Sequence, residues 1–267
     1  MLARIESAFR KTVEFTANAS HELRTPLALI RATAEVALMR APQAESDPPN
    51  SNYAALSQIL REAERNTALL EDLLRLARAD SGTASLHLEA MDLTEAFRLT
   101  CQRCEALAAR RGLSLRFLPV PEPIWVSGDA KHLKSLLLIL LDNAIKYTPS
   151  GGSVEVSLLA TAAGYAICRV KDTGIGIPAD DVPRIFDRFF RSDRARTREE
   201  GGSGLGLAIA AWIARTHNGR IEVESVLGAG STFRIVLPLL AQVPAAHEES
   251  TSLQPVLQGN TLQGNKG

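Results

Sequence analysis

Two stretches of this chain carry small or apolar residues at alternating spacings of four and three, a repeat that restricts the possible folds severely. The stripes are Phe9, Val13, Thr16, Ser20, Leu23, Leu27, Ile30 and Ala34, and then Leu56, Leu60, Ala63, Thr67, Leu70, Leu74 and Ala77. Residues 41–52 hold three prolines and end in Asn-Ser-Asn, which cannot continue a helix. The pattern predicts an antiparallel helical hairpin. Because one hairpin cannot surround its own seam, we expect a homodimer with a four-helix bundle.

The segment from Ser20 to Pro26 places a histidine beside an acidic residue on the first predicted helix. His21 follows the seam position Ser20, about 100° around the helix, so its side chain should face solvent on the flank of the bundle. Pro26 removes a backbone donor and crowds the carbonyl of Glu22, a distortion that packing alone does not explain. A solvated surface histidine is the simpler interpretation of His21 by itself. Glu22 and Thr25, within about one turn of it, favour a reactive site.

Composition restricts the partners and the compartment. Thirty basic and thirty acidic residues cancel, so we expect no nucleic-acid partner. The three cysteines are expected to be free thiols in a reducing compartment, and Cys101 and Cys104 form a CxxC without a second pair. The longest apolar run, Leu136–Leu141, is far shorter than the roughly 20 residues that span a membrane. We expect a cytoplasmic region whose membrane anchor, if the parent protein has one at the inner membrane, lies in a missing upstream segment.

The second half of the chain is patterned as a mixture of strands and helices. Residues 82–92 are predicted to be a linker that enters a first short strand at Leu86–Leu88, and residues 241–267 a disordered tail. The predicted helices cover residues 93–111, 130–147 and 205–216, and the further strands 113–118, 124–127, 153–159, 165–171, 220–225 and 232–237. Strands and helices do not alternate as in a doubly wound fold. The fold class is therefore α+β: the helical hairpin, then an α/β sandwich with helices on one face of a mixed sheet.

The end of the helix predicted for residues 130–147 carries side chains suited to a nucleotide. In the segment Asp142–Tyr147, Asn143 can offer an amide oxygen to Mg²⁺, which prefers oxygen ligands together with phosphates. Lys146 can reach a phosphate, and Tyr147 can lie along a base. An ordinary amphipathic helix end is the alternative for this segment alone.

A glycine-containing loop, Asp172–Pro178, directly follows a predicted strand. Its glycines, Gly174 and Gly176, allow the backbone to approach a ligand closely. The carboxylate of Asp172 can accept a hydrogen bond from an exocyclic amine. The loop therefore suits the base end of a nucleotide.

Two further segments complete the candidate site. Arg184–Arg191 contains aromatic residues that could anchor a mobile segment, and Arg191 could meet a phosphate. Gly201–Leu207 opens a helix, so its backbone N–H groups and the helix dipole would point at phosphates. This loop does not follow a strand and fails the dinucleotide fingerprint, which makes it weak evidence by itself. All these segments in this order are far more specific than any one of them.

Together the segments resemble the transmitter region of bacterial two-component sensor histidine kinases, over roughly residues 10–240. Ser20–Pro26 resembles the H box of that family, Asp142–Tyr147 the N box, Asp172–Pro178 the G1 box, Arg184–Arg191 the F box and Gly201–Leu207 the G2 box. The resemblance implies a dimerisation and phosphoacceptor hairpin (HisKA) over residues 1–81, then the linker over 82–92. A catalytic ATP-binding domain of the Bergerat type would follow over 93–240.

The resemblance also implies the reaction. His21 would take the phosphoryl group from ATP, and Glu22 would be the base that hydrogen-bonds the other ring nitrogen. An imidazole with a pKa near 6.5 is largely neutral and nucleophilic at pH 7. The phosphoryl group would then pass to an aspartate in the receiver domain of a response regulator. Thr25 matches the position that orients water for hydrolysis of the phosphorylated regulator, so phosphatase activity is expected as well.

The cofactors implied by the resemblance are ATP and Mg²⁺. Asn143 would coordinate Mg²⁺, Asp172 would recognise the adenine amine, and Arg191 could steady the γ-phosphate. Residues 191–201 would form a lid over the nucleotide. The residues expected to contact the nucleotide or its metal are Asn143, Lys146, Tyr147, Asp172, Gly174, Gly176, Gly202, Ser203, Gly204, Leu205 and Gly206.

Ile139 departs from the family pattern, which usually has Asn or another polar residue four positions before Asn143. Isoleucine can neither coordinate a metal nor move a proton, so a catalytically inactive nucleotide-binding scaffold (a pseudokinase) is the alternative. The intact H box argues against it, because a scaffold has no need of His21. Topoisomerase-type and chaperone-type ATPases are a further alternative, but they resemble only the second half of the chain.

Overall fold

The computed structural model describes residues 27, 28, 30–35, 51–81, 86–192 and 204–241. Helix α1 covers residues 30–35 of that range, and helix α2 is Ser51–Asp80, which begins where the proline-containing segment ends. Ala34, Ala63 and Leu74, which belong to the predicted stripes, are buried. The described parts of both predicted helices are thus helical, while the homodimer stays a prediction.

Within the described residues, seven strands form two sheets. They are β1 Glu89–Asp92, β2 Ser114–Phe117, β3 Trp125–Gly128, β4 Ser153–Ala160, β5 Tyr165–Asp172, β6 Arg220–Val226 and β7 Gly230–Pro238. The larger sheet has the order β2-β4-β5-β7-β6, in which β2 runs parallel to β4 and the other neighbours are antiparallel. Strands β1 and β3 form a separate antiparallel pair. The sheet is mixed, as the sequence predicts.

Three helices cover one face of the larger sheet: α3 Leu93–Arg110, α4 Ala130–Tyr147 and α5 Gly206–Thr216. Strand β4 alternates accordingly, because Val154 and Val156 are buried under the helices whereas Glu155 is exposed. Asp129 caps α4, since its Oδ1 atom accepts hydrogen bonds from the backbone N–H groups of the first turn at 3.0 and 3.1 Å. The predicted α+β class, with helices on one face, is confirmed.

The first strand lies three residues later than the sequence predicts. Residues 86–88 are not paired, and Glu89 is the first residue of the ladder, opposite Gly128. The backbone N–H of His87 instead donates to Oδ2 of Asp129 at 3.3 Å. The Leu-x-Leu pattern cannot locate this boundary, because the register depends on β3, which is distant in sequence.

The described residues also test two compositional predictions. Cys101, Cys104 and Cys168 are free thiols, as predicted, and they are also buried. Burial raises the pKa of Cys101 to about 12. Thiols with so high a pKa are poor nucleophiles at neutral pH. No helix in the described ranges is long and apolar enough to cross a membrane.

The C-terminal half of α2 packs against the helical layer of the second domain. Leu76 is only 4% exposed and belongs to the main core, and Leu69 and Leu73 pack against that core. Nη1 of Arg75 donates a 3.2 Å hydrogen bond to Oγ of Ser135 on α4. We call Leu69, Leu73, Arg75 and Leu76 the docking face of α2. It joins the two predicted domains directly.

Candidate active site

A cavity of about 440 Å³ lies between α4, the loop after β5 and the N-terminus of α5. Most of the predicted site residues that the structure describes line it: Asn143, Lys146, Tyr147, Asp172, Gly176, Arg191, Gly204 and Gly206. These residues are spread over more than sixty positions of sequence and come from all four of the segments predicted to form the nucleotide site. The fold thus collects them around one volume of the size that ligand sites have.

Asp172 lies in the wall of the cavity and is only 6% exposed. Its Oδ1 atom accepts hydrogen bonds from the backbone N–H groups of Gly174 at 2.8 Å and Ser231 at 3.2 Å. Burial raises the pKa of the Asp172 carboxyl, and the two backbone donors oppose that shift. With Oδ1 held in this way, the carboxyl group has a fixed orientation and can recognise one polar group of a ligand.

The loop after Asp172 is tightly packed against its neighbours. A Cβ atom at Gly174 would lie 2.7 Å from the carbonyl oxygen of Tyr147, and one at Gly176 would clash with the carbonyl oxygen of Val226. Gly176 also has a φ of +67°, which favours glycine. The N–H of Ile177 donates to Oγ of Ser225 at 2.8 Å. The loop is therefore a rigid part of the cavity wall, fixed by the hairpin of β6 and β7.

Helix α4 presents a row of cavity residues along one face. Ile139, Asn143, Lys146 and Tyr147 follow each other at helical spacings, and all four line the cavity. The ammonium of Lys146 lies 5.4 Å from the centre of the Tyr147 ring. The backbone N–H of Ile175 donates to the carbonyl oxygen of Tyr147 at 3.1 Å, which ties this helix end to the loop after β5.

The donor set fits a hard divalent cation that is shared with a ligand's phosphates. Asn143, whose side chain carries an amide oxygen, lines the cavity. No group of three or more His, Cys, Asp or Glu side chains in the described part of the chain could hold a metal by protein ligands alone. Mg²⁺ commonly binds in this way, with few protein oxygens and the remaining positions taken by phosphate and water.

Ile139 forms an apolar part of the wall beside the N-terminus of α5. A Cβ atom at Gly206 would lie 3.3 Å from Cγ2 of Ile139, so the two helices approach closely at this point. Gly206 opens α5, and within the described residues the side chain at the N-cap position, Leu205, makes no capping hydrogen bond. The first backbone N–H groups of α5 are therefore suited to an anionic group.

The segment Arg184–Arg191 packs beside the cavity. The guanidinium of Arg184 lies 4.7 Å from the centre of the Phe190 ring, and Phe190 and Arg191 line the cavity. The backbone N–H of Phe189 donates to the carbonyl oxygen of Gly204 on the other side of residues 193–203. The described residues on the two sides of 193–203 are thus joined.

Not every predicted site residue lines the cavity. Gly174 holds the carboxyl of Asp172 from behind, and Leu205 is a fully buried core residue, so any ligand contact of Leu205 would have to come from its backbone. The predictions for His21, Glu22, Thr25, Gly202 and Ser203 lie outside the described residues.

Some cavity residues were absent from the sequence prediction. Ser231 and Phe233 come from β7, and Asp72 comes from α2. Ser231 could have been suspected only from the short loop before β7, and Asp72 belongs to no motif. Both reach the cavity through tertiary contacts between elements that are distant in sequence.

Comparisons with known proteins identify two families along the chain. The family described as Histidine kinase-, DNA gyrase B-, and HSP90-like ATPase matches residues 128–241, and the family described as His Kinase A (phospho-acceptor) domain matches residues 12–82. Sensor histidine kinase RppB of Synechocystis sp. is 40% identical over 250 residues, which are 91% of this chain and 52% of that protein.

Solved structures give the same result. The crystal structure of full-length ShkA in complex with AMPPNP matches with a TM-score of 0.71 at 26% identity, over 86% of this chain and 47% of that one. The mycobacterial sensor histidine kinase MprB matches with a TM-score of 0.50 at 34% identity, over 57% of this chain and 98% of that one. The chain spans about half of the length of RppB and somewhat more of the next curated relative.

Proposed function

Because the chain belongs to the sensor histidine kinase family, we propose that it is a transmitter that phosphorylates His21 with ATP and passes the phosphoryl group to a response regulator. The observation that carries the proposal is the cavity between α4 and α5, where a buried carboxyl group and the N-terminus of α5 line one volume. The first suits an adenine amine, and the second suits phosphates.

The nucleotide would lie along α4. Asp172 would accept a hydrogen bond from the adenine amine through the carboxyl oxygen that the backbone donors leave available. The N-terminus of α5 and Lys146 would bind the phosphates, and Arg191 would steady the γ-phosphate. Asn143 and the phosphates would hold Mg²⁺, which would neutralise part of the phosphate charge. In such a site, positioning and charge neutralisation provide most of the rate.

His21 would attack the γ-phosphorus with the lone pair of one neutral ring nitrogen. The N–P bond forms as the bond from the γ-phosphorus to the β–γ bridging oxygen breaks, and ADP leaves with that oxygen. The other ring nitrogen keeps its N–H, which Glu22 would hold and whose proton it could accept as the ring becomes positively charged. The neutral imidazole expected near pH 7 is the reactive form.

The phosphoryl group would next move to an aspartate in the receiver domain of a response regulator. Thr25 would orient water for the opposing phosphatase activity, which hydrolyses the phosphorylated regulator. The chain would work as a homodimer whose hairpins form a four-helix bundle, and the parent protein would sit at the inner membrane with this region on its cytoplasmic side. These statements rest on the family and on the H-box residues.

A catalytically inactive scaffold is the second candidate, and Ile139 favours it. Ile139 lines the cavity with methyl groups where the family usually has a polar side chain. We favour the active kinase because Asn143 and Lys146 still supply polar groups on the same wall.

The proposal is tested by incorporation of γ-labelled phosphate from Mg·ATP into the purified chain. We expect an acid-labile, base-stable label that His21→Ala and Asn143→Ala both abolish. His87→Ala is the matched control, because the His87 side chain is exposed and only its backbone N–H makes the described contact with Asp129. ATP binding without any label would support the scaffold instead, and a label that survives His21→Ala would contradict the assigned phosphoacceptor.

A further inference from the structure

Among the described side chains of α2, Asp72 is the one carboxylate that lines the cavity, although it belongs to none of the sequence motifs. It precedes Leu73, Arg75 and Leu76 of the docking face, so the packing of α2 against the second domain fixes its position. The side chain is half-buried. A carboxylate that is held in a cavity wall in this way would interact with the charge of a bound ligand.

Asp72, on α2, borders the end of the cavity that lies at the N-terminal part of α4. Arg75, one helical turn away, hydrogen-bonds Ser135 at the N-terminal part of α4, and Ser135 also lines the cavity. Tyr147 and the loop of Asp172 lie at the opposite end of the same helix. Twelve residues of α-helix separate Ser135 from Tyr147, a distance of about 18 Å. A nucleotide whose base meets Asp172 would extend along α4, past Lys146 and Asn143, to Ile139 beside the N-terminus of α5, so its terminal phosphates would lie nearest the Asp72 end.

We propose that Asp72 is a specificity-determining residue that makes the cavity sensitive to the charge of the nucleotide's phosphates. The inference rests on the proposed nucleotide site, because it uses the orientation with the base at Asp172. The carboxylate of Asp72 repels an uncompensated polyphosphate and leaves the uncharged nucleoside unaffected. Docked α2 therefore favours a nucleotide whose phosphate charge a divalent cation has reduced.

The charged groups around Asp72 agree with a repulsion between this side chain and the phosphates. Arg75 is the cationic neighbour that acts on it, and Glu71 is an anionic neighbour on the same helix. Arg75 already donates to Ser135, so it is shared between the two partners. Removal of the Asp72 charge therefore leaves a less negative cavity wall.

The experiment compares equilibrium affinities of the full chain for ATP, ADP and adenosine in EDTA, and for ATP with Mg²⁺. For the isosteric variant Asp72→Asn, we expect metal-free ATP to bind about three- to ten-fold more tightly, ADP to gain less, and adenosine to be unchanged. With Mg²⁺ present, the gain for ATP should be smaller. Glu71→Gln is the matched control: it removes the neighbouring charge, which is exposed and does not line the cavity, and should leave the ratio of ATP to adenosine affinity within two-fold.

Two results would overturn the inference alone. One is an Asp72→Asn variant whose affinities for ATP and adenosine change by the same factor, because that reports a change of shape. The other is an equal effect of Glu71→Gln, because that reports general surface charge. A wild-type chain that binds neither ATP nor adenosine would instead overturn the proposed nucleotide site, and this inference with it.

Discussion

The backbone N–H of Phe189 donates a 2.9 Å hydrogen bond to the carbonyl oxygen of Gly204, and both residues have left-handed backbones, with φ of +60° and +73°. Such a conformation costs a residue with a side chain about 1–3 kcal/mol, so Phe189 is held there by its surroundings. Residues 193–203 lie between these two anchors. The contact holds together the described residues on the two sides of that segment.

Gly204→Ala should weaken nucleotide binding and lower stability together. A Cβ atom at this position would lie 2.8 Å from the carbonyl carbon of Phe189, in addition to the strain of a positive φ. We expect the free energy of unfolding to fall by about 2 kcal/mol and the Kd for ATP to rise about ten-fold or more. Denaturant unfolding and equilibrium binding measure the two effects.

Gly164→Ala separates the effect of a positive φ from the effect of the contact with Phe189. Gly164 also has a positive φ, +81°, but nothing lies within 4 Å of its Cβ position and it does not line the cavity. This variant should lose about 1 kcal/mol of stability and keep the wild-type Kd for ATP. If Gly204→Ala bound ATP as tightly as Gly164→Ala, the contact with Phe189 would have no part in the site.

Asp172→Asn should reduce ATP affinity while the fold is preserved. The asparagine oxygen can still accept both backbone hydrogen bonds. The NH₂ group of the asparagine would then face the adenine amine, so two donors would meet and no hydrogen bond would form between them. A lost hydrogen bond with an unsatisfied donor costs about 1–3 kcal/mol, which corresponds to a Kd roughly ten- to a hundred-fold higher. Isothermal titration calorimetry with ATP checks the assignment. The control variant is Glu155→Gln, on the solvent-exposed face of β4. Equal affinities in the two variants would exclude Asp172 as the base-recognition group.

The sequence predicts the cavity better than it predicts its surroundings, for physical reasons. Asn143, Lys146 and Tyr147 are local on one helix, so spacing alone places them on one face. Asp129 likewise predicts the start of a helix, because an aspartate side chain can cap the first turn. Asp72 and Ser231 reach the cavity only because α2 docks on the helical layer and β7 pairs with β5. Such contacts between distant segments leave no periodic trace in the sequence.

Ile139→Asn tests whether the departure from the family pattern matters. The side chain lies beside Gly206, where the amide could add one polar contact to the phosphate region. If Asn143 and Glu22 already supply the metal ligand and the base, the rate of autophosphorylation should change by no more than about three-fold. A wild-type chain without activity and a robustly active Ile139→Asn variant would support the inactive scaffold. The rate of label incorporation at saturating Mg·ATP distinguishes the two results.

His217 should make the stability of the second domain depend on pH. It is only 3% exposed; its Nδ1 atom lies 2.7 Å from the carbonyl oxygen of Ile213, and its Nε2 atom accepts the backbone N–H of Asp129 at 3.0 Å. The ring is therefore neutral, with its proton on Nδ1, and a second proton would face the N–H of Asp129. Burial lowers the pKa of His217, His132 lowers it further, and the Ile213 carbonyl and the Asp129 carboxylate oppose the shift.

Because the pKa of His217 is lower in the folded chain than in the unfolded one, the unfolded state binds more protons just below pH 6.5. The stabilisation is complete above that pH and is lost as the pH falls towards the lowered pKa, with a slope of up to about 1.4 kcal/mol per pH unit. Asp129, whose pKa is lowered to about 2, adds a separate loss in more acidic solution, below 3.8. Urea unfolding of the chain between about pH 7 and pH 5 should show the histidine slope, and His217→Gln should flatten it, whereas His87→Gln should not. An unchanged slope in His217→Gln would assign the acid sensitivity to another group.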